Sequence, residues 1–471
     1  MTVHFAHILD KLGGIAHRLR QGGMPDVVYQ WTKGISEEEL IELEERLQPP
    51  LPASLSELIK RCGSLHLLWC LPQHCIVADE ADCSYESGND LKQEPNILDD
   101  ITGEFGWNHE YISYFTSYGE NTDSAADEQR YLILNYNGAG DPILLDRATS
   151  AIEPAVFCYE HELDQFTLLA ESLPAYIETM LALHGLWLWD WSNVSDEHGI
   201  QLDSPPLRLW QRWLDTFCTM KLEDAQSLET LIHYTTMHGV DHPAVLHAFQ
   251  AYDPKDIFLV WKQRIQHNPA PFATWAFFIG ETAGIGAADW VRSLWKPDTN
   301  AAQAWNPSAS INIHAERAFV PTRAYLSARC LPEQEGLENV YDDLMQHTGK
   351  DGKLDGYTVS GQLQHFHSPQ VIDWMRDKVN HPVDGWAILF AYSRPAAEQV
   401  IEWLSGSELH QKIATEALDI MIQRDLLPTL EADVWASISN LLHASLQLVM
   451  LKKDKRRIEA VLEQLSDLNL R

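Results

Sequence analysis

The hydrophobic pattern of the chain changes near residue 183, and this change limits the possible folds more than any other feature. Before it, capped helices are followed by short apolar runs between Gly, Asn and Asp turns. After it, amphipathic helical segments alternate with Pro, Gly or Asp breaks, and 14 of the 17 tryptophans lie there. Helices, then antiparallel strands, then a closing helix are typical of an α+β domain. We therefore predict an α+β domain over residues 1–185 and an all-α region over residues 186–471.

The α+β part contains a helix-capping motif. Ser36 and Glu39 stand at the two positions of a capping box, in which each side chain accepts a hydrogen bond from the backbone amide of the other residue. Ile35 and Leu40 stand at the positions of a hydrophobic staple around it. The pattern predicts a helix that begins after Ser36 and ends before the Pro49-Pro50 pair, since proline cannot continue a helix.

Three further elements complete the predicted domain. A second helix follows Pro52, with Gly63 placed as its C-cap. Two apolar runs, Tyr131–Tyr136 and Ile143–Asp146, flank a turn rich in Gly, Asn and Asp, which is typical of a β-hairpin. Ser172 then stands at the N-cap of a closing helix.

The remaining region repeats one motif. Val371-Ile372-Asp373-Trp374-Met375 recurs 29 residues later as Val400-Ile401-Glu402-Trp403-Leu404. This period, with the rhythm of paired helices, favours a HEAT-like α-solenoid. An irregular helical bundle fits the same pattern equally well, so both architectures stay open.

Three segments of the first part resemble the SMI1/KNR4 family of the SUKH superfamily. ISEEELIELEERLQPPLPASLSELIKRCGS is similar to the opening pair of helices of the family, YLILNYNGAGDPILLD to its central hairpin and ESLPAYIETML to its closing helix. The resemblance covers about residues 30–183 and departs from the family pattern over 70–117 and 120–128. It implies an antiparallel sheet flanked by helices and a protein-binding role. Bacterial members of the superfamily are widely immunity proteins that neutralise polymorphic toxins, and fungal members are regulatory interaction proteins.

The charge of the chain independently favours a basic protein partner. The chain has 68 acidic and 34 basic residues, a net charge of -34. Such a surface repels phosphate backbones and anionic lipids, so we expect neither nucleic acid nor membrane as a partner. Residues 71–146 alone hold 16 acidic residues against Lys92 and Arg130.

We therefore predict a partner-binding surface on the acidic segments 79–100 and 120–128, with Trp107 and Tyr114 as aromatic anchors. The alternative interpretation is that these carboxylates are solvated loop charges. The predicted acidic contact residues are Asp79, Glu80, Asp82, Glu86, Asp90, Asp99, Asp100, Glu120, Asp123, Asp127 and Glu128.

No sequence motif indicates catalysis. The chain contains no Gly-rich phosphate loop, no Gly-x-Ser-x-Gly elbow and no His-Glu-x-x-His pair. Cys70, Cys75 and Cys83 with the nearby His74 are conceivable zinc ligands, but their spacing is not one of the common pairs. We therefore expect a protein without enzymatic activity, cofactor or metal.

The N-terminus and the cysteines indicate the compartment. Residues 1–20 lack an uninterrupted apolar core, and seven cysteines at irregular spacing favour free thiols, so we expect a cytoplasmic protein. Two functional hypotheses follow: an immunity protein that occludes a basic toxin surface, or an intracellular regulatory scaffold that binds through its helical array. The sequence leaves the oligomeric state open.

Overall fold

The contacts within the chain divide it into two compact units, Met1–Val245 and Leu246–Arg471, here called unit 1 and unit 2. The computed structural model describes residues 7–47, 50–72, 102–115, 129–137, 140–150, 152–188, 190–267, 272–296, 313–346, 354–379, 384–428 and 432–469. The boundary predicted at residue 185 marks the end of the family-like domain and is a different quantity from this division. It stays a prediction.

Unit 1 combines helices with two antiparallel sheets, which confirms the predicted α+β class. Its helices are α1 Ile8–Gln21, α2 Glu37–Leu47, α3 Ala53–Arg61, α4 Leu173–Ala182, α5 Pro205–Thr219 and α6 Leu228–His238. Its strands are β1 Val28–Lys33, β2 Cys62–Cys70, β3 Thr102–Asn108, β4 Ser113–Tyr114, β5 Tyr131–Tyr136, β6 Pro142–Asp146, β7 Ala155–Glu160, β8 Gln165–Ala170, β9 Leu186–Trp187, β10 Ser195–Asp196 and β11 Gly199–Ile200.

The strands form sheets of four and seven strands. The smaller sheet has the order β1-β2-β3-β9, and the larger has the order β10-β11-β8-β7-β6-β5-β4. The predicted hairpin is the β5–β6 pair. Three short strands, β9 to β11, lie beyond residue 185, so the predicted all-α region begins with edge strands of both sheets. Two-residue strands carry no alternating pattern long enough to distinguish them from a loop in sequence.

The capping box at α2 forms as predicted. The Ser36 amide donates to Glu39 Oε2 at 2.7 Å, and the Glu39 amide donates to Ser36 Oγ at 3.2 Å. Ile35 and Leu40 are both buried beside it, as a hydrophobic staple requires. Hydrogen bonds to the Glu39 carboxylate from the Ser36 amide and from the Ser36 side chain lower the pKa of this carboxyl.

The predicted C-cap at Gly63 is wrong. Helix α3 ends at Arg61, and Cys62 is already extended, with φ -146° and ψ 107°. The chain therefore passes from α3 directly into β2, and Gly63 is a strand residue. A Cβ atom at Gly63 would lie 3.0 Å from the Lys33 carbonyl oxygen. The glycine thus accommodates the close approach of β1 rather than a helix end.

A column of stacked rings ties α5 and α6 to the smaller sheet. Successive ring centroids lie 5.4, 5.4, 5.0, 4.3 and 4.2 Å apart, with interplanar angles of at most 19°. The column runs through Trp69, Trp210, Trp213, Phe217, His238 and Tyr234. The core of unit 1 therefore includes helices that follow the family-like domain in sequence.

The regular elements of unit 2 in its described residues are all helices, which confirms the predicted all-α region there. A helix that spans the division, α7, runs over Pro243–Phe249. The following helices are α8 Pro254–His267, α9 Phe272–Thr282, α10 Ala288–Leu294, α11 Ile313–Cys330, α12 Glu333–Gln346, α13 Gly356–Leu363, α14 Pro369–Met375, α15 Asp384–Tyr392, α16 Ala397–Leu404, α17 Glu408–Gln423, α18 Ala432–Leu448 and α19 Lys452–Asn469. Among the described helices of both units, none is at once long and apolar enough to cross a bilayer.

The two copies of the repeated motif lie on neighbouring helices, α14 and α16. Gln399 Nε2 donates to the Pro369 carbonyl oxygen and to Asp373 Oδ1, each at 3.0 Å. Arg376 bridges the same pair of helices through Asp373 and Glu402. A solenoid and a bundle can both contain such a pair, so the HEAT-like solenoid stays a prediction.

Candidate functional site

Strands β1, β2 and β3 form the floor of a groove of about 540 Å³ in unit 1. The groove combines polar side chains with two exposed aromatic rings. Its lining residues are Gln30, Trp31, Thr32, Ser64, Leu65, His66, Glu104, Trp107, Asn108, Tyr111 and Asn135.

The alternation of β2 explains why this face is polar. Side chains point to opposite faces of a strand in turn. Leu65, Leu67 and Trp69 are buried, whereas Ser64, before Leu65, and His66, between Leu65 and Leu67, are only half-buried. The strand therefore packs one face into the core of unit 1 and gives the other to the groove.

Gly106 lies on β3 between Glu104 and Asn108, which both line the groove. In the sheet register Gln30 pairs with His66, and His66 pairs with Gly106. A Cβ atom at Gly106 would lie 2.1 Å from the Leu65 carbonyl oxygen, so the backbone contact between β2 and β3 requires glycine here.

Hydrogen bonds fix one end of the groove. The hydroxyls of Thr32 and Ser64 lie 2.9 Å apart, and the Ser64 amide donates to Thr32 Oγ1 at 2.9 Å. Asn108 Oδ1 accepts from the Glu110 amide at 3.0 Å, which caps the short 3-10 turn that carries Tyr111. Polar groups held in this way are preorganised for binding, because less side-chain entropy remains to be lost.

Two large aromatic side chains border the groove and are exposed to solvent. Trp31 is 51% exposed on β1, and Tyr111 is 62% exposed after β3. Exposed tryptophan and tyrosine beside a concave surface are typical of protein interfaces. Glu104 is the acidic residue of the lining, and it is half-buried.

The two predicted aromatic anchors have structural partners. Trp107 is 2% exposed, and its indole N–H donates to the Cys62 carbonyl oxygen at 2.9 Å. Tyr114 is half-buried, donates to the Leu47 carbonyl oxygen and accepts from Arg147 at 2.8 Å. Their predicted contact with a partner stays a prediction, and the exposed rings of this region are Trp31 and Tyr111.

All the predicted acidic contact residues lie outside the described residues, in the segments 73–101 and 116–128. The described ends of the first segment lie together, since Cys70 pairs with Thr102. Ser64 pairs with Asn108 at the other end of the same two strands, six residues away and thus about 20 Å along the sheet. The groove extends from Ser64 and Asn108 to Glu104, which lies two residues from Thr102 at the described end of this acidic segment.

The turn of the β5–β6 hairpin is held by a buried carboxylate. Asp141 is 5% exposed, and its Oδ1 atom accepts from the His161 amide at 2.9 Å and lies 2.6 Å from His161 Nδ1. Its other oxygen accepts from Asn137 Nδ2 at 3.2 Å. These hydrogen bonds stabilise the turn, so the Gly-Asp pair has a structural role.

The described residues bring together no group of three or more His, Cys, Asp or Glu side chains with the arrangement of a metal site. Cys70 is half-buried with a free thiol, whereas Cys75 and Cys83 lie outside the described residues. Four other described cysteines, Cys62, Cys158, Cys218 and Cys330, are also free thiols.

The sequence of these elements matches one known family. Residues 34–179 match the SMI1 / KNR4 family (SUKH-1). This confirms the resemblance in the first part of the chain. The SMI1/KNR4 match begins just before the cap of α2 and ends in α4. Comparison of the chain with curated proteins and with solved structures gave no match.

The groove is lined both by residues within the SMI1/KNR4 match and by residues outside it. Ser64, His66, Glu104 and Tyr111 lie within it, whereas β1 with Trp31 precedes it. Sequence reasoning missed these residues. The run Val27–Thr32 is rich in β-branched and aromatic residues, and this composition is the signal that indicates β1.

Proposed function

We propose that the chain is a non-catalytic protein-binding protein that acts as an immunity protein and neutralises the cognate toxin of a polymorphic toxin system. The observation that carries this proposal is the SMI1/KNR4 match over residues 34–179. Bacterial proteins with this domain are widely immunity proteins. Binding would occur through unit 1, where that domain lies.

The distribution of charge supports a basic partner. Unit 1 holds 40 acidic and 13 basic residues, whereas unit 2 holds 28 and 21. The net charge is thus -27 in unit 1 and -7 in unit 2. A field of this sign accelerates the encounter with a positively charged domain and suppresses binding of acidic proteins.

The proposed mechanism is occlusion. A toxin that acts on nucleic acid presents basic side chains to the phosphates of its substrate. An acidic protein seated on that surface excludes the substrate by steric overlap and by charge. No bond needs to be made or broken, so neutralisation is expected to be stoichiometric.

The full chain used as bait in a pull-down from native cells tests the proposal. The captured protein is then purified, and its activity is titrated with the chain. We expect activity to vanish at one equivalent. Neutralisation by far less than one equivalent contradicts binding without catalysis, and capture of a partner without toxic activity contradicts the immunity role.

A charge-reversal variant locates the contact. In the first variant, lysine replaces five acidic residues of the two predicted segments. In the control, lysine replaces five exposed acidic residues of unit 2, so that the net charge changes equally. The first set is Asp79, Glu80, Asp82, Asp123 and Asp127; the control set is Asp342, Asp377, Glu398, Glu408 and Glu459. We expect only the first variant to lose affinity and most of its salt dependence. Equal losses contradict a contact on the acidic segments.

One observation favours a second candidate, a regulatory scaffold that binds through its helical array. At the start of α19, Lys452, Lys453, Lys455 and Arg456 are exposed. Beside them Met450 is 92% exposed and Leu451 is 64% exposed. If the full chain with these four cations reversed to glutamate loses the captured partner, whereas the acidic-segment variant keeps it, the scaffold is supported and the immunity mechanism is contradicted.

A further inference from the structure

We propose that an extended, positively charged segment of the protein partner adds to the smaller sheet as a fifth strand, next to β1. The site is the side of β1 that faces away from β2, here called the outer edge. This inference rests on the proposed protein-binding function and specifies the structural mode of one contact. That contact is additional to the acidic segments predicted from sequence.

Strand β1 differs from the other sheet edges in the part of the chain that the structure describes. The smaller sheet ends in β1 and β9, and the larger sheet ends in β10 and β4. The last three of these strands have two residues each, whereas β1 has six. Very short edge strands limit pairing with other chains, because they present few backbone groups. Three edges are protected in this way, and β1 is not.

The outer edge of β1 presents hydrogen-bonding groups of the backbone. Successive residues of an antiparallel strand direct their N–H and C=O groups alternately towards one neighbour and away from it. β2 lies on one side of β1, through pairs from Val28–Leu68 to Lys33–Cys62. Alternate residues of β1 therefore direct their backbone groups away from β2, where no other described strand lies. A partner strand would form hydrogen bonds with these groups, as in other cases of strand addition to a sheet edge.

The side chains of β1 leave this edge accessible. Gln30, Trp31, Thr32 and Lys33 are consecutive and exposed, and successive side chains point to opposite faces, so solvent reaches both faces of the strand here. A residue opposite Trp31 on an added strand would lie about 5 Å from it, where the ring face attracts a cation. The irregular register between Trp31 and Lys33, with Lys33 itself, limits the open edge at this end, because bulges and lysines disfavour pairing.

The charge of unit 1 determines which kind of strand can approach. Its net charge is -27, so a second copy of the chain would bring an equal negative charge to the same edge. The local charge has the same sign, since α2 begins four residues after β1 and exposes Glu38, Glu42 and Glu45. A segment rich in arginine or lysine is attracted by this field, whereas pairing of β1 with its own copy is opposed.

Synthetic peptides test this assignment on the full chain. The probe is acetyl-Thr-Lys-Val-Arg-Val-Lys-Thr-amide, whose β-branched residues favour an extended conformation. Two versions carry N-methyl groups on either the basic residues or the valines, and a third carries both sets. Because an added strand uses only one of its own sides, at least one of the first two should keep its affinity within about threefold. The third should lose at least about tenfold, since it lacks the donors on both sides. Saturation-transfer NMR on the peptide measures the affinities.

Hydrogen exchange in the chain locates the contact. The exchange of the β1 amides is followed at residue resolution with and without a saturating concentration of the unmethylated peptide. We expect the amides that point away from β2 to exchange at least about tenfold more slowly with the peptide, because they gain a hydrogen-bond partner. The amides that point towards β2 should keep their rates. Protection without this alternation contradicts strand addition at β1.

Matched variants test the preference for a cation. Gln30→Lys and Gln30→Glu change the charge on β1, and Gln21→Lys and Gln21→Glu make the same changes at the exposed end of α1. We expect the first variant to weaken binding of the basic peptide about threefold and the second to strengthen it about threefold, as for charges on neighbouring strands. Both changes at Gln21 should alter the affinity less than twofold. Equal effects at the two positions show that only the overall field matters, and they overturn the assignment to β1.

The remaining outcomes are equally decisive. The proposal is wrong if the basic peptide shows no saturable binding, if full N-methylation has no effect, or if a peptide with glutamate in place of the basic residues binds equally well. Dimers of the chain alone with the same alternating protection identify a second copy as the occupant. If the peptide binds at β1 as expected but the captured partner is no toxin, the strand contact stands and the immunity function fails. A toxin that is neutralised without protection of the β1 amides has the reverse meaning.

Discussion

The indole rings of Trp69 and Trp210 are stacked nearly parallel, 5.4 Å apart with an interplanar angle of 6°. Trp69 belongs to β2 within the SMI1/KNR4 match, and Trp210 belongs to α5 outside it. Both side chains are fully buried. The matched segment therefore shares its core with a helix that lies outside the match.

This contact predicts a large effect of Trp210→Ala. The substitution removes a buried ring from the middle of the column and the hydrogen bond from its indole N–H to the Leu183 carbonyl oxygen. We expect the free energy of unfolding to fall by about 3–5 kcal/mol. Trp31→Ala is the control, because Trp31 is 51% exposed, and it should change stability by about 0.5 kcal/mol or less. Urea denaturation monitored by far-UV circular dichroism measures both, and similar losses would contradict the role of the column.

The same contact predicts where the chain can be shortened. A fragment that ends at residue 185 lacks α5 and α6 and would expose Trp69, whereas a fragment that ends at residue 245 keeps the whole ring column. We expect the longer fragment to unfold cooperatively in urea and the shorter one to bind hydrophobic dyes or aggregate. A cooperative transition of the shorter fragment with undiminished stability would show that the family domain folds without these helices.

His238 predicts a dependence of stability on pH. Its ring lies 4.3 Å from that of Phe217 and 4.2 Å from that of Tyr234, and burial, with the nearby His233, lowers its pKa from 6.5 to about 4. The unfolded chain therefore takes up the proton first. The contribution of the neutral His238 ring to the free energy of unfolding is therefore fully present above pH 6.5. It is lost as the pH drops towards 4, by up to about 3 kcal/mol.

A pair of variants isolates this titration. His238→Phe keeps a stacked ring without a titrating group, and its stability should vary less between pH 7 and pH 4 than that of the wild type. His17→Gln, at an exposed position, should keep the wild-type dependence. Urea denaturation at several pH values measures the difference, and an unchanged slope in His238→Phe would contradict the assignment.

Local patterns in the sequence predicted local structure well. The Ser36–Glu39 cap and the β5–β6 hairpin are specified by neighbouring residues, so their motifs suffice. The groove needs β1 and β3 beside β2, and the register that brings Gln30, His66 and Gly106 together is set by long-range packing. Gly63 illustrates the same limit, because a glycine after a helix usually marks its end. Here Gly63 is required by the close approach of β1, and the residues next to Gly63 in the sequence do not predict that contact.

The last prediction concerns the core of unit 2. Arg323 lies between α10 and α12: its guanidinium carbon is 3.8 Å from the ring centroid of Trp295, and Nη2 lies 2.7 Å from Asp343 Oδ1. Both charged side chains are only 14% exposed, and burial lowers the pKa of Arg323 while Asp343 opposes that shift. Asp343→Asn leaves the buried cation without its counter-charge, so we expect a loss of about 3–5 kcal/mol.

Two comparisons test this interpretation of the Arg323–Asp343 pair. Glu335→Gln removes a partner of Arg292 in an ion pair at the surface, and there we expect a much smaller loss, since solvent screens exposed pairs. The double variant Arg323→Met/Asp343→Leu should recover most of the lost stability, because it leaves no unpaired charge in the core. Urea denaturation of unit 2 within the full chain measures all three. If the double variant is less stable than Asp343→Asn alone, the packing of Arg323 on Trp295 dominates, and the charge argument is wrong.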